Sequence, residues 1–85
     1  MSYEIVFDDK VIKDMKKIDK FWQNKILEKI KDTLAKTPYS GKKLVGNLSP
    51  YYRIRVGDYR VIYDIQDKQV TVEVIKIKHR KDIYK

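Results

Sequence analysis

The sequence predicts an α+β domain, with an N-terminal strand, an antiparallel helical hairpin and then a three- to four-stranded antiparallel sheet. Three observations carry this. Apolar and polar residues alternate over Tyr3–Phe7, apolar residues recur at helical spacing from Val11 to Leu34, and alternation returns in three segments between Tyr52 and Ile77. A strand, two helices and then a run of strands is the order of an antiparallel sheet packed on a helical hairpin.

Each element has its own signal. Tyr3, Ile5 and Phe7 share one face of the first strand. Asp8 or Asp9 can cap a helix whose apolar positions are Val11, Ile12, Met15 and Ile18. Asp19 opens a second helix, in which Trp22, Ile26, Ile30 and Leu34 recur every four residues beside Leu27. Thr37-Pro38 stops it. The two helices lie close enough in sequence to fold back on each other. A short strand at Lys43–Val45 precedes a loop through Gly46–Pro50, and Tyr52–Val56, Tyr59–Ile65 and Gln69–Ile77 read as the remaining strands.

Composition bounds the rest. The 85 residues form one domain, 1–85, with a single modest core. No cysteine is present, which removes disulfide scaffolds and the commoner structural zinc sites. No apolar run approaches the roughly 20 residues of a membrane span, and no hydrophobic signal follows Met1. A soluble cytoplasmic protein without a membrane partner is expected. The net charge is +8, a surface suited to nucleic acid or another polyanion. Residues 1–41 hold 9 lysines and 7 acids, whereas residues 42–85 hold 11 basic residues, all four arginines among them, and 5 acids. The positive face therefore belongs to the C-terminal sheet.

Its focus is the segment from Tyr52 to Tyr63. Gly57-Asp58 between two alternating runs predicts a two-residue type II′ hairpin turn. That turn pairs Val56 with Tyr59, Arg55 with Arg60, Ile54 with Val61 and Arg53 with Ile62. The aromatic and aliphatic positions then face the core, while Arg53, Arg55 and Arg60 face away. Directly opposed like charges destabilise a strand pair, so the cluster makes sense around an anion, since guanidinium matches phosphate bidentately. The other reading is a set of solvated arginines paired with Asp64, Asp67 or Glu73. A second turn at Asp67-Lys68 pairs Ile65 with Val70, Tyr63 with Val72 and Val61 with Val74. It sets Arg60 opposite Ile75, with Ile62, Ile75 and Ile77 as an apolar floor and His79 on the arginine side. His79 is the sole histidine and the one side chain that ordinarily titrates near neutrality. Tyr84 can stack on a base or pack on the sheet.

The helical half, the segment Tyr52-Arg53-Ile54-Arg55-Val56-Gly57-Asp58-Tyr59-Arg60-Val61-Ile62-Tyr63 and the ending His79-Arg80-Lys81-Asp82-Ile83-Tyr84 together resemble the RelE/ParE superfamily, the toxin halves of type II toxin–antitoxin modules. The resemblance spans essentially the whole chain and favours the RelE-like branch, with its microbial RNase fold. It implies a ribosome-dependent endoribonuclease that cuts messenger RNA in the A site. The 2′-hydroxyl attacks the adjacent phosphorus, leaving a 2′,3′-cyclic phosphate and a 5′-hydroxyl, with no cofactor and no metal required. Carried over position by position, the catalytic set is Arg55, Arg60, His79, Arg80 and Tyr84. Arg53, Arg55, Arg60, Lys78 and Lys81 are the RNA and phosphate contacts. Well-studied RelE-like members place lysine on the first hairpin strand where this chain has Arg53 and Arg55. Arginine is effectively never deprotonated, which makes His79 the acid–base candidate. The rival implication is a ParE-like inhibitor that binds DNA gyrase without cutting RNA. Either way a cognate RelB-like antitoxin is implied, wrapping the toxin with an acidic or partly disordered segment. Ribosome and message are the other partners, and operator DNA is reached only through the antitoxin complex.

Overall fold

A computed structural model of the chain describes residues 2–46 and 50–83. Strand β1 (Glu4–Phe7) leads into helix α1 (Asp9–Lys16) and helix α2 (Lys20–Lys29). Strands β2 (Lys42–Lys43), β3 (Tyr52–Val56), β4 (Tyr59–Gln66) and β5 (Thr71–His79) follow, and a short helix α3 (Arg80–Ile83) closes the described chain. The sheet has five strands in the order β1-β5-β4-β3-β2. Strands β2 to β5 are antiparallel as the sequence predicts, and β1 adds itself in parallel along β5, pairing Glu4 with Thr71 and Phe7 with Val74. The chain between β1 and β5, through the two helices and strands β2 to β4, is long enough to permit that parallel pairing.

Capping follows the sequence. Asp8, not Asp9, caps α1, its side chain accepting the Lys10 amide at 3.3 Å, and Asp19 caps α2 by accepting the Phe21 amide at 3.4 Å. Between them Gln23 Nε2 donates to the carbonyls of Met15 and Ile18, at 2.6 and 2.8 Å, and ties the end of α1 to α2. Apolar residues every four positions drift around a helix of 3.6 residues per turn by about 40° at each step. The chain absorbs the drift by widening into a π-helical turn at Ile30–Leu34, where the Ala35 amide bonds the Ile30 carbonyl. Ile26, Ile30 and Leu34 all stay buried as a result.

The core lies between the helices and one face of the sheet. Val11, Ile26, Ile30 and Leu34 meet Ile54, Val61, Tyr63, Val72, Val74 and Ile77. Tyr63 is fully buried and its hydroxyl donates to the Pro38 carbonyl at 2.6 Å. Gly41 makes room for it, because a Cβ there would sit 2.1 Å from the Tyr63 hydroxyl oxygen and 2.8 Å from the Arg53 carbonyl. Burial pushes the Tyr63 phenol up to about 12, against a smaller downward pull from the Gly41 backbone hydrogen bond. An unfolded phenol ionises near pH 10. The raised folded value thus contributes stability that is intact below pH 10 and is lost as pH climbs towards 12, by about 2–3 kcal/mol in all. Tyr63→Phe should be less stable than wild type by about 1–2 kcal/mol at pH 8, with Pro38 left without its donor. Thermal unfolding at stepped pH should show that gap close above pH 10 and reverse by pH 12.

The first hairpin forms in the register the Gly57-Asp58 turn predicts, with Arg55 opposite Arg60 and Arg53 opposite Ile62. Gly57 has φ +58 and is the only residue of the turn with positive φ, as type II′ requires. The second hairpin corrects the sequence reading. Its loop is a 3₁₀ turn at Asp67–Gln69 closed by Val70 in the left-handed region at φ 48, not a two-residue Asp67-Lys68 turn. Pairing therefore starts at Gln66–Thr71 and sets Ile65 against Val72 and Tyr63 against Val74. A bulge then leaves Ile75 as an extra residue, so that Ile62 pairs with Lys76, Val61 with Ile77, Arg60 with Lys78 and Tyr59 with His79. Ile77 thereby enters the core rather than the arginine floor, and His79 lands on the helix side of the sheet. No helix among the described residues is long and apolar enough to cross a membrane.

Candidate phosphate-binding site

The outer face of the sheet, away from the helices, is assembled by strand register. Arg53 and Arg55 on β3, Arg60 and Ile62 on β4, and Lys76 and Lys78 on β5 share it as paired positions. Ile62 is buried there and remains the apolar floor that the sequence predicts. Arg55 is exposed and Arg60 and Lys78 are half-buried, so the charges reach solvent from a fixed backbone.

Arg80 joins them through the turn. Its backbone amide donates to the Asp58 carbonyl at 2.7 Å, which anchors the start of α3 to the hairpin tip. Arg55, Arg60 and Arg80 then border one pocket of about 260 Å³ together with Gly57 and Asp58. Three guanidinium groups around a polar hollow of that size form a cradle for a phosphate diester and for the extra charge it gains when attacked. Asp58 is a lining residue that the sequence reading used only for its turn. The available signal was its place between Arg55 and Arg60 at the tip of the hairpin.

Behind the tip the structure is aromatic. Trp22 from α2 lies 6.0 Å from Tyr59, and Tyr59 meets the His79 ring edge-to-face at 4.9 Å. Gly57 packs on the same indole, because a Cβ at this position would fall 2.4 Å from two Trp22 ring atoms. The arginine-bearing tip is thus braced from the helix side.

Two of the carboxylates offered as partners for the arginines have partners of their own. Asp67 accepts from Tyr3 Oη at 2.9 Å and also from Tyr39 Oη, which holds the Tyr39 phenol up at about 12. Glu73 accepts from Gln66 Nε2 at 3.2 Å and pairs across the sheet with Asp64. Asp64 is four residues along β4 from Arg60, roughly 13 Å at strand rise. Asp67 and Glu73 thus serve the far end of the sheet, and Asp64 does not line the pocket of Arg55, Arg60 and Arg80.

Of the expected site residues, the structure brings Arg55, Arg60 and Arg80 into one pocket, with Lys78 paired beside Arg60. Arg53 shares their face but borders a separate hollow with Lys29, Lys42 and Arg55. Lys81 is exposed on α3. His79 is the correction. It lies across the sheet from the arginines, in a groove with Asp14, Lys17, Ile18 and Tyr59. Its Nδ1 accepts the Lys81 amide at 3.1 Å, which occupies the lone pair a general base would need. Tyr84 lies outside the described residues. No group of three or more His, Cys, Asp or Glu side chains among the described residues is placed to hold a metal ion.

Comparison with known proteins finds the chain similar to toxins. A family model described as the ParE toxin of type II toxin–antitoxin systems matches residues 5–84. The chain is 30% identical over 86 residues to toxin RelG of Mycobacterium tuberculosis (strain ATCC 25618 / H37Rv), covering 100% of this chain and 99% of the relative. It is 26% identical over 87 residues to the mRNA interferase toxin RelE of Escherichia coli (strain K12), covering 99% and 92%. Its fold is similar to the crystal structure of the toxin–antitoxin complex RelBE2 from Mycobacterium tuberculosis, with a TM-score of 0.89 and 27% identity over 94% of this chain and 93% of the other.

Proposed function

This chain belongs to the ParE toxin family of type II toxin–antitoxin systems, and from that premise we propose that it is the effector of such a module, an mRNA interferase that cuts message on the ribosome. One observation carries the reading: Arg55, Arg60 and Arg80 converge on a single pocket at the Gly57-Asp58 tip. Likeness to a relative named mRNA interferase toxin RelE supports the same chemistry. The 2′ oxygen of the substrate forms a bond to phosphorus, the bond from phosphorus to the 5′ oxygen breaks, and a 2′,3′-cyclic phosphate and a 5′-hydroxyl result. Arg55 and Arg60 hold the non-bridging oxygens, where charge builds up in the transition state. Arg80 reaches the same phosphate from the opposite wall and stabilises the departing 5′ oxygen. The 2′ proton passes to a group other than His79, Asp58 being the one carboxylate among the pocket residues, and the departing 5′ oxygen takes up a proton from that protonated group or from water to become the hydroxyl. Arg53, Lys78 and Lys81 bind neighbouring phosphates of message or ribosomal RNA.

The partner is a RelB-like antitoxin, supported by the likeness to a toxin from a toxin–antitoxin complex. A net charge of +8 suits an acidic segment and speeds its encounter. The matching family is described as a ParE toxin, and the ParE-like resemblance implies a second reading, inhibition of DNA gyrase by binding alone. Programmed ribosomes and a gyrase supercoiling assay, run side by side with the purified protein, separate the two. A-site cleavage that Arg60→Ala abolishes is the expected result. Blocked supercoiling with intact message would overturn it.

A further inference from the structure

We propose that His79 is a positioning residue, whose neutral imidazole caps α3 from the helix side of the sheet and so holds Arg80 in the arginine pocket. The inference rests on the reading of Arg80 as a phosphate contact. Strand β5 ends at His79 and the chain turns into α3 at once. The first amides of a helix have no partner within it. Here two of them are satisfied from outside, Arg80 N–H by the Asp58 carbonyl at 2.7 Å and Lys81 N–H by His79 Nδ1 at 3.1 Å. The second is an N-cap bond made by a ring in place of the usual hydroxyl or carboxylate. A neutral ring that accepts at Nδ1 carries its proton on Nε2. The edge-to-face contact with Tyr59 and the β5 backbone fix the ring plane.

Protonation removes this bond outright, since imidazolium has two donors and no acceptor. The charged and titratable groups around the ring are Asp14 from α1, Lys17 just after it, Tyr59 from β4, Lys76 and Lys78 from β5, and Lys81 from α3. An acid-side switch follows. On protonation Arg80 loses one of the two bonds that seat its helix.

The test compares wild type, His79→Ala and His79→Asn, because asparagine caps through its side-chain oxygen and does not titrate. Cleavage on programmed ribosomes should fall roughly fivefold to tenfold in His79→Ala at pH 7.5, far less than in Arg80→Ala. Wild type should lose a similar factor between pH 7.5 and 5.5, and His79→Asn should restore the rate and flatten that limb. An acid limb that persists in His79→Asn would overturn the proposal, as would a rate no better than that of His79→Ala. Nitrogen NMR of the free protein reads the cap without any reaction. The expected result is an Nε2–H tautomer at pH 7.5 and a Lys81 amide that loses its hydrogen-bonded shift as the ring protonates. An Nδ1–H tautomer, or a Lys81 amide indifferent to pH, would sink the cap even if the protein cuts message. If the protein cuts nothing, the mRNA-interferase reading fails and the NMR result alone decides the cap.

Discussion

Replacing Arg60 with Gln is expected to cost message cleavage about 10²–10³-fold, the loss typical of removing one transition-state donor, while leaving the fold no less stable. The two effects have one origin. Arg60 stands directly across the strand pair from Arg55, with Lys78 on its other side, and like charges so placed repel each other by about 0.2–1 kcal/mol. Glutamine keeps much of the stem and removes the charge. Melting at low salt should therefore match wild type or exceed it by a few degrees, at about 4–8 °C per kcal/mol for a domain of this size. Added salt should close the difference by screening the cluster. A variant that is inactive and clearly less stable would instead mark Arg60 as a structural residue.

The largest stability effect is expected at Gly57. A side chain there meets two penalties. The left-handed backbone at φ +58 costs a residue with a Cβ about 1–2 kcal/mol, and the new atom would lie 2.4 Å from the Trp22 ring. Gly57→Ala should lose roughly 2–4 kcal/mol in total, a large part of what a small domain possesses. Denaturant unfolding should register it as a lower midpoint with an unchanged slope. In a Trp22→Ala background the penalty of Gly57→Ala should shrink to the backbone share, about 1–2 kcal/mol. A change under about 0.5 kcal/mol in the wild-type background would contradict the brace of Trp22 against the turn. Because this turn sets Arg55 against Arg60, cleavage should fall with the fold.

The contrast between the two hairpins shows what the sequence makes legible. Gly57-Asp58 names its own turn type, and the register of five residue pairs from Tyr52–Tyr63 to Val56–Tyr59 follows from it. Asp67-Lys68 does not, because the real loop depends on Val70 adopting positive φ, which no β-branched residue advertises. The bulge at Ile75 then inverts the end of β5. Its apolar pattern, Val72, Val74, Ile75 and Ile77, fits either parity equally well. The charged residues do not fit equally. Strict alternation from Val74 would have sent Lys76 and Lys78 into the core, a cost that a one-residue bulge removes. Those two lysines were the signal for the bulge, and reading them would have put Lys78 beside Arg60 and His79 behind the sheet. The arginine cluster itself was legible because it needed only the first hairpin. The arrival of Arg80 was implied only by the family resemblance and not by the strand pattern, since it depends on a backbone bond to Asp58 that no side chain encodes.

The claim at the centre of this account is that Arg55, Arg60 and Arg80 hold a scissile phosphate under attack by its own 2′-hydroxyl. Mapping the ends of message cut on programmed ribosomes tests it most directly. Wild-type protein should leave a 2′,3′-cyclic phosphate on one fragment and a 5′-hydroxyl on the other, and Arg60→Gln should leave the message whole. Fragments bearing a 3′-hydroxyl and a 5′-phosphate, or the same cut made equally well by Arg60→Gln, would contradict it.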